Sequence, residues 1–224
     1  MMYKNTVTGR FINRPNRFIA NVNIDGKTEV CHVKNTGRCK ELLTPDAKVI
    51  LEKSSNPDRK TKYDLVAVYK GDMLINMDSQ APNKVFGEWA LQSGFFGEIT
   101  KIKPECKYKN SRFDFYMEAE GKKIFVEVKG VTLEEDGVVK FPDAPTERGI
   151  KHINELADAV ENGYEAYVFF IIQMEKCKFF TPNIKTHPEF ADALKKAKGV
   201  NIRALNCKVT EQTLTANEFV EVKL

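Results

Sequence analysis

Two carboxylates and a lysine lie close together in one short stretch of the chain, SRFDFYMEAEGKKIFVEVKG, from Ser111 to Gly130. Apolar and charged residues alternate there with a period of two, as in half-buried strands. Phe113 and Phe115 are expected on one face and Arg112, Asp114 and Tyr116 on the other; in the second run Ile124, Val126 and Val128 oppose Phe125, Glu127 and Lys129. Glu120-Gly121 reads as the two-residue loop of a hairpin, because glycine supplies the positive φ such a loop needs. Counting outward from that loop pairs Ala119 with Lys122 and sets Asp114 opposite Glu127 and Arg112 opposite Lys129. Directly opposed carboxylates stand roughly 4.5–5.5 Å apart at Cβ and repel one another unless something neutralises them. A divalent cation, Mg²⁺ or Mn²⁺, is the direct remedy, since hard oxygen ligands on neighbouring strands suit it. From spacing alone, a solvated face with ordinary diagonal ion pairs is the alternative.

The elements that must hold this hairpin fall into two groups. Up to about residue 80 the signals are short strands with turns: RFIANVNI, Asp25-Gly26, TEVCHV, AKVILEKS, YDLVAVYK, Gly71-Asp72 and MLINMD, the pattern of a small barrel. Pro82 to Gly94 reads as a helix with Val85, Phe86, Trp89 and Ala90 on its apolar stripe. Beyond it, the hairpin is followed by a helix over about 146–162, the strand YEAYVFFIIQM, a helix over about 188–198 and the strand VNIRALNC, an α/β alternation. The expected division is therefore 1–80 and 81–224.

In the helix from Thr146 the apolar stripe is Ile150, Ile153, Leu156, Ala157 and Val160, leaving Arg148, Lys151, His152 and Glu155 for the exposed face. Arg148 in the first turn, beside free backbone N–H groups, suits a phosphate; pairing of Arg148 and Lys151 with Glu147 or Glu155 is the ordinary alternative. His152 reads as an exposed helix residue. Charge is uneven along the 224 residues: 1–80 carry 14 Lys+Arg against 9 Asp+Glu, and 81–224 carry 21 against 22. The positive excess, with Arg10, Arg14, Arg17, Lys34, Arg38 and Lys40 among aromatic and turn residues, fits either a surface that tracks a polyphosphate backbone or a plain solvated face. Five scattered cysteines without a C-x-x-C pair suggest neither a disulfide framework nor a zinc site. With no apolar run of membrane-spanning length and no signal-peptide stretch, a cytoplasmic protein without membrane partners is expected.

Seven stretches, RPNRF, VKNTGRCKELL, GEWALQSGFFGEI, SRFDFYME, FVEVKGVTL, FPDAPTERGIKHINEL and FFIIQ, in this order, resemble the sugar fermentation stimulation protein family, SfsA. The resemblance runs nearly end to end. It implies an N-terminal OB-type barrel that binds nucleic acid, followed by an α/β domain of the PD-(D/E)xK nuclease class, in proteins that bind DNA. By position, Asp114 matches the motif aspartate, and Glu127 and Lys129 match the E-x-K. In nucleases of that class the two carboxylates hold Mg²⁺ and the lysine activates water. Glu98 falls where many members supply a further acidic ligand. Arg112, Thr146, Arg148 and Lys151 match phosphate-facing positions; Gln173 also matches, or else satisfies strand-end backbone groups. In the barrel, Arg14, Arg17, Asn35 and Arg38 match a nucleic-acid surface.

Two functions follow from these parts: a Mg²⁺-dependent nuclease acting without sequence preference, or a catalytically silent DNA-binding regulator of transcription at sugar-utilisation genes. An enzyme of RNA or of a small phosphodiester is a third. One fold hosts many activities, so the assembled site must decide. The oligomeric state is not encoded in any motif.

Overall fold

A computed structural model describes residues 1–35 and 37–224. The first 80 residues form six strands, β1 (Thr6–Asn16), β2 (Ile19–Ile24), β3 (Lys27–Val33), β4 (Lys48–Lys53), β5 (Tyr63–Lys70) and β6 (Met73–Asn76). They lie in the order β3-β2-β1-β4-β5-β6, and a parallel β3–β5 pairing closes the first five into a barrel. Strand β1 escapes sequence reading because Gly9 and Pro15 interrupt its alternation, yet Gly9 is required: a Cβ there would lie 2.5 Å from Val22 Cγ1. Asp25-Gly26 forms the expected tight turn, with both residues at positive φ.

The second part contains α1 (Ala81–Gln92), β7 (Ile99–Tyr108), β8 (Ser111–Ala119), β9 (Lys122–Val131), β10 (Leu133–Glu135), β11 (Val138–Phe141), α2 (Glu147–Glu161), β12 (Glu165–Ile172), β13 (Phe179–Pro182), α3 (Pro188–Lys196), β14 (Val200–Val209) and β15 (Leu214–Val220). Its main sheet runs β15-β14-β12-β9-β8-β7, with β9, β12 and β14 parallel at the centre. Central parallel strands are covered on both faces, and β12 shows how. Phe169 and Ile171 pack towards Val85 and Phe86 of α1, whereas Val168, Phe170 and Ile172 pack with Ile153 and Leu156 of α2.

The two parts share one continuous apolar cluster, which contains Phe11 and Val22 of the barrel as well as Phe113 and Ile153. Polar groups reinforce the joint. Asn76 of β6 accepts from Gln173 Nε2 at 2.8 Å, and Lys70 Nζ of β5 donates to Glu134 Oε2 of β10 at 2.6 Å. The first residues of the chain span both parts, Met2 bridging to Thr213 beside β15 and Tyr3 packing with Ile50, Val66 and Ala67 of the barrel. Burial pushes the thiols of Cys31, Cys39 and Cys207 up to about 12, so these cysteines are packing residues. Among the described residues no helix is long and apolar enough to cross a membrane.

Candidate metal centre and nucleic-acid interface

The hairpin forms as its loop predicts. Glu120 and Gly121 take φ of +49° and +73°, and the pairs from Ala119–Lys122 to Phe115–Val126 follow the expected register. The paired ladder then stops one step short of Asp114–Glu127. Strict alternation fails here: Phe113 packs with Phe125 and His152, while Phe115 packs against Phe86 of α1, on the other face of the sheet. The change of face occurs at Asp114, flanked by the pairs Cys106–Phe113 and Pro104–Phe115 that bracket Glu105, itself at φ +51°. Phe113 and Phe115 therefore do not share a face, contrary to the alternation rule.

This irregularity re-aims Asp114. Its Oδ2 accepts the Val128 N–H at 2.8 Å, in place of a ladder bond, and its Oδ1 accepts from Asn83 Nδ2 of α1 at 2.8 Å. Glu127 is buried on the α2 side, where its Oε1 receives both Lys129 Nζ and His152 Nδ1, the latter at 2.6 Å. Its Oε2 is buried and meets no hydrogen-bond partner among the described residues. Burial pushes the Glu127 carboxyl up, but the His152 hydrogen bond and the Lys129 charge outweigh it, so Glu127 titrates below the ordinary range. Asp114 moves the other way: burial and then the charge of Glu127 raise it, only partly opposed by Val128 N–H and Asn83. The charge of the pair is thus partly offset internally by Lys129, and His152 adds a hydrogen bond to Glu127.

The donor set fits a hard divalent cation: two carboxylates, one with an orphaned oxygen. Among the described residues no group of three or more His, Cys, Asp or Glu is arranged to enclose an ion. Glu98 is not brought to the pair. Strand β7 runs antiparallel to β8 with Ile99 opposite Ala119, so Glu98 lies at the hairpin tip, where its N–H donates to Glu120 Oε1 at 2.8 Å. Asp114 is five residues further down β8, roughly 17 Å at about 3.4 Å per residue.

His152 is buried, at 4% exposure, contrary to the exposed position read from sequence. The buried face of α2 is Gly149, His152, Ile153, Leu156 and Ala159, rotated from the purely apolar stripe because a glycine and a histidine belong to it. Arg148 and Lys151 are exposed and do not pair with Glu147 or Glu155: Arg148 Nε donates to His152 Nε2 at 3.4 Å and Lys151 Nζ to the Asn110 carbonyl at 2.8 Å. With Arg112 they line one open depression beside Ser111 and Glu147. Thr146 is the N-cap, its hydroxyl accepting the Gly149 N–H at 3.1 Å.

In the barrel, Arg14 does not face outward as a phosphate contact would. Its guanidinium donates to the main-chain carbonyls of Gly37, Arg38, Arg17 and Asn35, at 2.9, 3.0, 2.7 and 2.6 Å, and so shapes the turn that follows β3. Asn35 Oδ1 accepts the Gly37 N–H at 2.8 Å in the same turn. Arg17 and Arg38 are exposed, Arg17 lying 5.3 Å from the centre of the exposed Phe18 ring. The Arg38 N–H donates to Asp143 Oδ2 at 3.1 Å, which joins this turn to the segment leading into α2. A cleft of about 200 Å³ lies between, lined by Asn35, Gly130, Lys140 and Gln173 among others. Gln173 is 1% exposed and donates to Asn76 Oδ1 and to the Asp78 carbonyl, so it serves the joint between the two parts.

Gly130, next to Lys129, shows how tightly that joint is built. A Cβ there would lie 2.7 Å from both Gln173 Oε1 and Pro82 Cγ, and Gln173 is pinned by its own hydrogen bonds. Gly130→Ala should therefore cost about 1–3 kcal/mol, the usual range for overpacking. Urea denaturation checks this, and an unchanged midpoint would show that the joint yields freely.

Sequence comparison agrees with this architecture. Residues 12–77 match the model of the SfsA N-terminal OB domain, and residues 80–213 match that of the sugar fermentation stimulation protein RE domain. The chain is 60% identical to a sugar fermentation stimulation protein homolog of Clostridium beijerinckii, with 100% of each chain covered. It is 63% identical to one of Desulfitobacterium hafniense strain Y51, over 100% of this chain and 99% of that one. The structure of Pyrococcus furiosus SfsA in complex with Ca²⁺ superposes with a TM-score of 0.87 at 28% identity, over 100% of this chain and 98% of that one. A barrel and an α/β domain joined in this order, matched from end to end, place the chain in the sugar fermentation stimulation protein family.

Proposed function

We propose that this protein binds DNA across the barrel and the α2 face and carries a divalent-cation phosphodiesterase site at Asp114, Glu127 and Lys129. The observation that carries the reading is Glu127: a buried carboxylate favoured in its ionised form, with one oxygen satisfied by Lys129 and His152 and the other without a partner among the described residues, next to a second carboxylate. A buried charge so arranged is costly unless a ligand uses it. That Pyrococcus furiosus SfsA was solved in complex with Ca²⁺ supports a divalent cation as a ligand in this family. Asp114 and Glu127 would hold Mg²⁺ or Mn²⁺, which when bound supplies charge stabilisation for a phosphoryl oxygen and acidifies water. Lys129, beside Glu127 and 15% exposed at its side chain, would orient the phosphate. Arg112, Arg148 and Lys151 supply phosphate contacts, as do Arg17 and Arg38 on the barrel.

Purified protein incubated with DNA and Mn²⁺ tests this directly. Cleavage should appear in the wild type, fall at least tenfold in Lys129→Ala and vanish in Asp114→Asn. No cleavage of duplex, single-stranded DNA or RNA would leave the second reading, a catalytically silent DNA-binding regulator of sugar-utilisation genes. One observation favours that reading: Lys129 is already ion-paired with Glu127.

The barrel surface has its own test. Arg17→Ala with Arg38→Ala should weaken binding to duplex DNA and reduce the log–log salt slope by roughly 0.9 per lost phosphate contact. Arg14→Ala should instead lower stability through the loop it organises. Equal salt slopes in wild type and the double variant would remove the barrel from the DNA surface. With no base-reading motif on either part, binding should show little sequence preference.

A further inference from the structure

We infer that His152 is a positioning residue that couples phosphate binding on α2 to the cation site, so that DNA and the divalent cation strengthen each other's binding. The inference rests on the reading that Asp114 and Glu127 hold a cation. It comes from the direction of the hydrogen bonds. An arginine Nε can only donate, so the bond from Arg148 Nε at 3.4 Å requires the lone pair of His152 on Nε2. The ring proton of the neutral imidazole is then on Nδ1, and it is donated to Glu127 Oε1 at 2.6 Å. The imidazole cannot turn to another partner, because it is buried and stands edge-on to Phe113 at 6.0 Å.

Arg148 therefore has two ends with different roles. Nε is engaged by the buried histidine, while the exposed guanidinium lines the same depression as Arg112 and Lys151. A phosphate seated there fixes the guanidinium, which fixes the tautomer and ring of His152. The ring in turn holds Oε1 of Glu127 and keeps Oε2 directed to the cation. Coupling of this kind is reciprocal: the factor by which the cation tightens DNA must equal the factor by which DNA tightens the cation.

The test uses Ca²⁺ and a short DNA duplex with the full-length protein. Duplex affinity is measured by fluorescence anisotropy with and without Ca²⁺, and Ca²⁺ affinity by calorimetry with and without the duplex. The wild type should show an enhancement of about 5–10-fold, equal in both directions. His152→Ala should lose Ca²⁺ affinity. His152→Asn, whose amide can donate from nearly the place of Nδ1 but cannot reach Arg148, should restore most of that affinity and still show less than about twofold enhancement. Arg148→Lys, which keeps the charge without an Nε donor, should likewise lose the enhancement. Full enhancement in His152→Asn and in Arg148→Lys overturns the coupling while leaving the cation site intact. A wild type that binds no Ca²⁺ overturns the cation reading itself, and the coupling with it.

Discussion

Mn²⁺ or Mg²⁺ at about a hundredfold above its dissociation constant should raise the melting temperature of the wild type by roughly 5–10 °C, and Asp114→Asn should abolish most of that rise. The size follows from mass action: a ligand bound only by the folded state at that excess adds about 2.7 kcal/mol, and each kcal/mol shifts a chain of this size by roughly 2–4 °C. The choice of variant follows from the geometry. Asparagine can still accept the Val128 N–H through its carbonyl, and Asn83 can turn its own amide to meet the new Nδ2, so the kink in β8 survives. What disappears is a ligand charge and its repulsion with Glu127, the two carboxyls being close enough for Glu127 to raise Asp114. The metal-free variant should accordingly melt at or slightly above the metal-free wild type. Glu127→Ala is the contrast, because it strips the partner from buried His152 and from Lys129 and should destabilise by about 3–5 kcal/mol with or without cation. Scanning calorimetry that finds no response to either cation in the wild type would eliminate the metal centre.

The largest effect on the barrel is expected at Asp64. Its carboxylate, 6% exposed, receives Arg59 through two nitrogens at 2.7 and 2.9 Å and His32 Nδ1 at 3.1 Å, with Lys34 at 3.4 Å. Burial alone would raise this carboxyl, but the Arg59 hydrogen bonds, the Lys34 charge and the His32 contact hold it at about 2. A folded value below the unfolded one means that ionised Asp64 favours the fold. The stabilisation is complete above about pH 4 and is lost as pH falls toward 2. Discounted for solvent screening, the linkage amounts to about 1–2 kcal/mol. Asp64→Ala goes further, since it leaves Arg59 and Lys34 without their shared anion, and should cost about 3 kcal/mol at neutral pH. Urea denaturation between neutral and acidic pH reads both effects. The difference between wild type and Asp64→Ala must shrink on acidification, and a constant difference would show that the carboxylate's charge is not what stabilises the barrel.

How much of this was legible beforehand depended on the range of the forces involved. The hairpin loop was legible because positive φ at Glu120 and Gly121 is a local steric demand, and register follows from the loop by counting. The two-part organisation was legible because a change from short alternating strands to an α/β alternation is a pattern of hydrophobicity, which burial enforces. Asp114, Glu127 and Lys129 stood out for the same reason: charges within a strand pattern are conspicuous. Asn83, the partner of Asp114, carried no such mark, being one polar residue in the first turn of α1.

Other features depended on which surfaces meet. Closure of the barrel through β3 and β5 joins segments some thirty residues apart, and nothing local to either strand specifies it. Arg14 and Arg17 look alike in sequence, yet one is committed to four main-chain carbonyls, three of them in the turn after β3, while the other faces solvent. His152 lay off the apolar stripe of its helix, and only the docking of α2 over Phe113 and Glu127 makes that position interior. Glu98 shows the converse: a carboxylate near the motif in sequence, carried to the far tip of the hairpin by the antiparallel course of β7. By itself, then, the sequence determined the two-part organisation, the hairpin loop and the register counted outward from it, because these follow from local sterics and burial periodicity. Only the tertiary structure decided which charges are satisfied internally and which remain for a ligand, because hydrogen-bond geometry and desolvation depend on neighbours brought from distant parts of the chain.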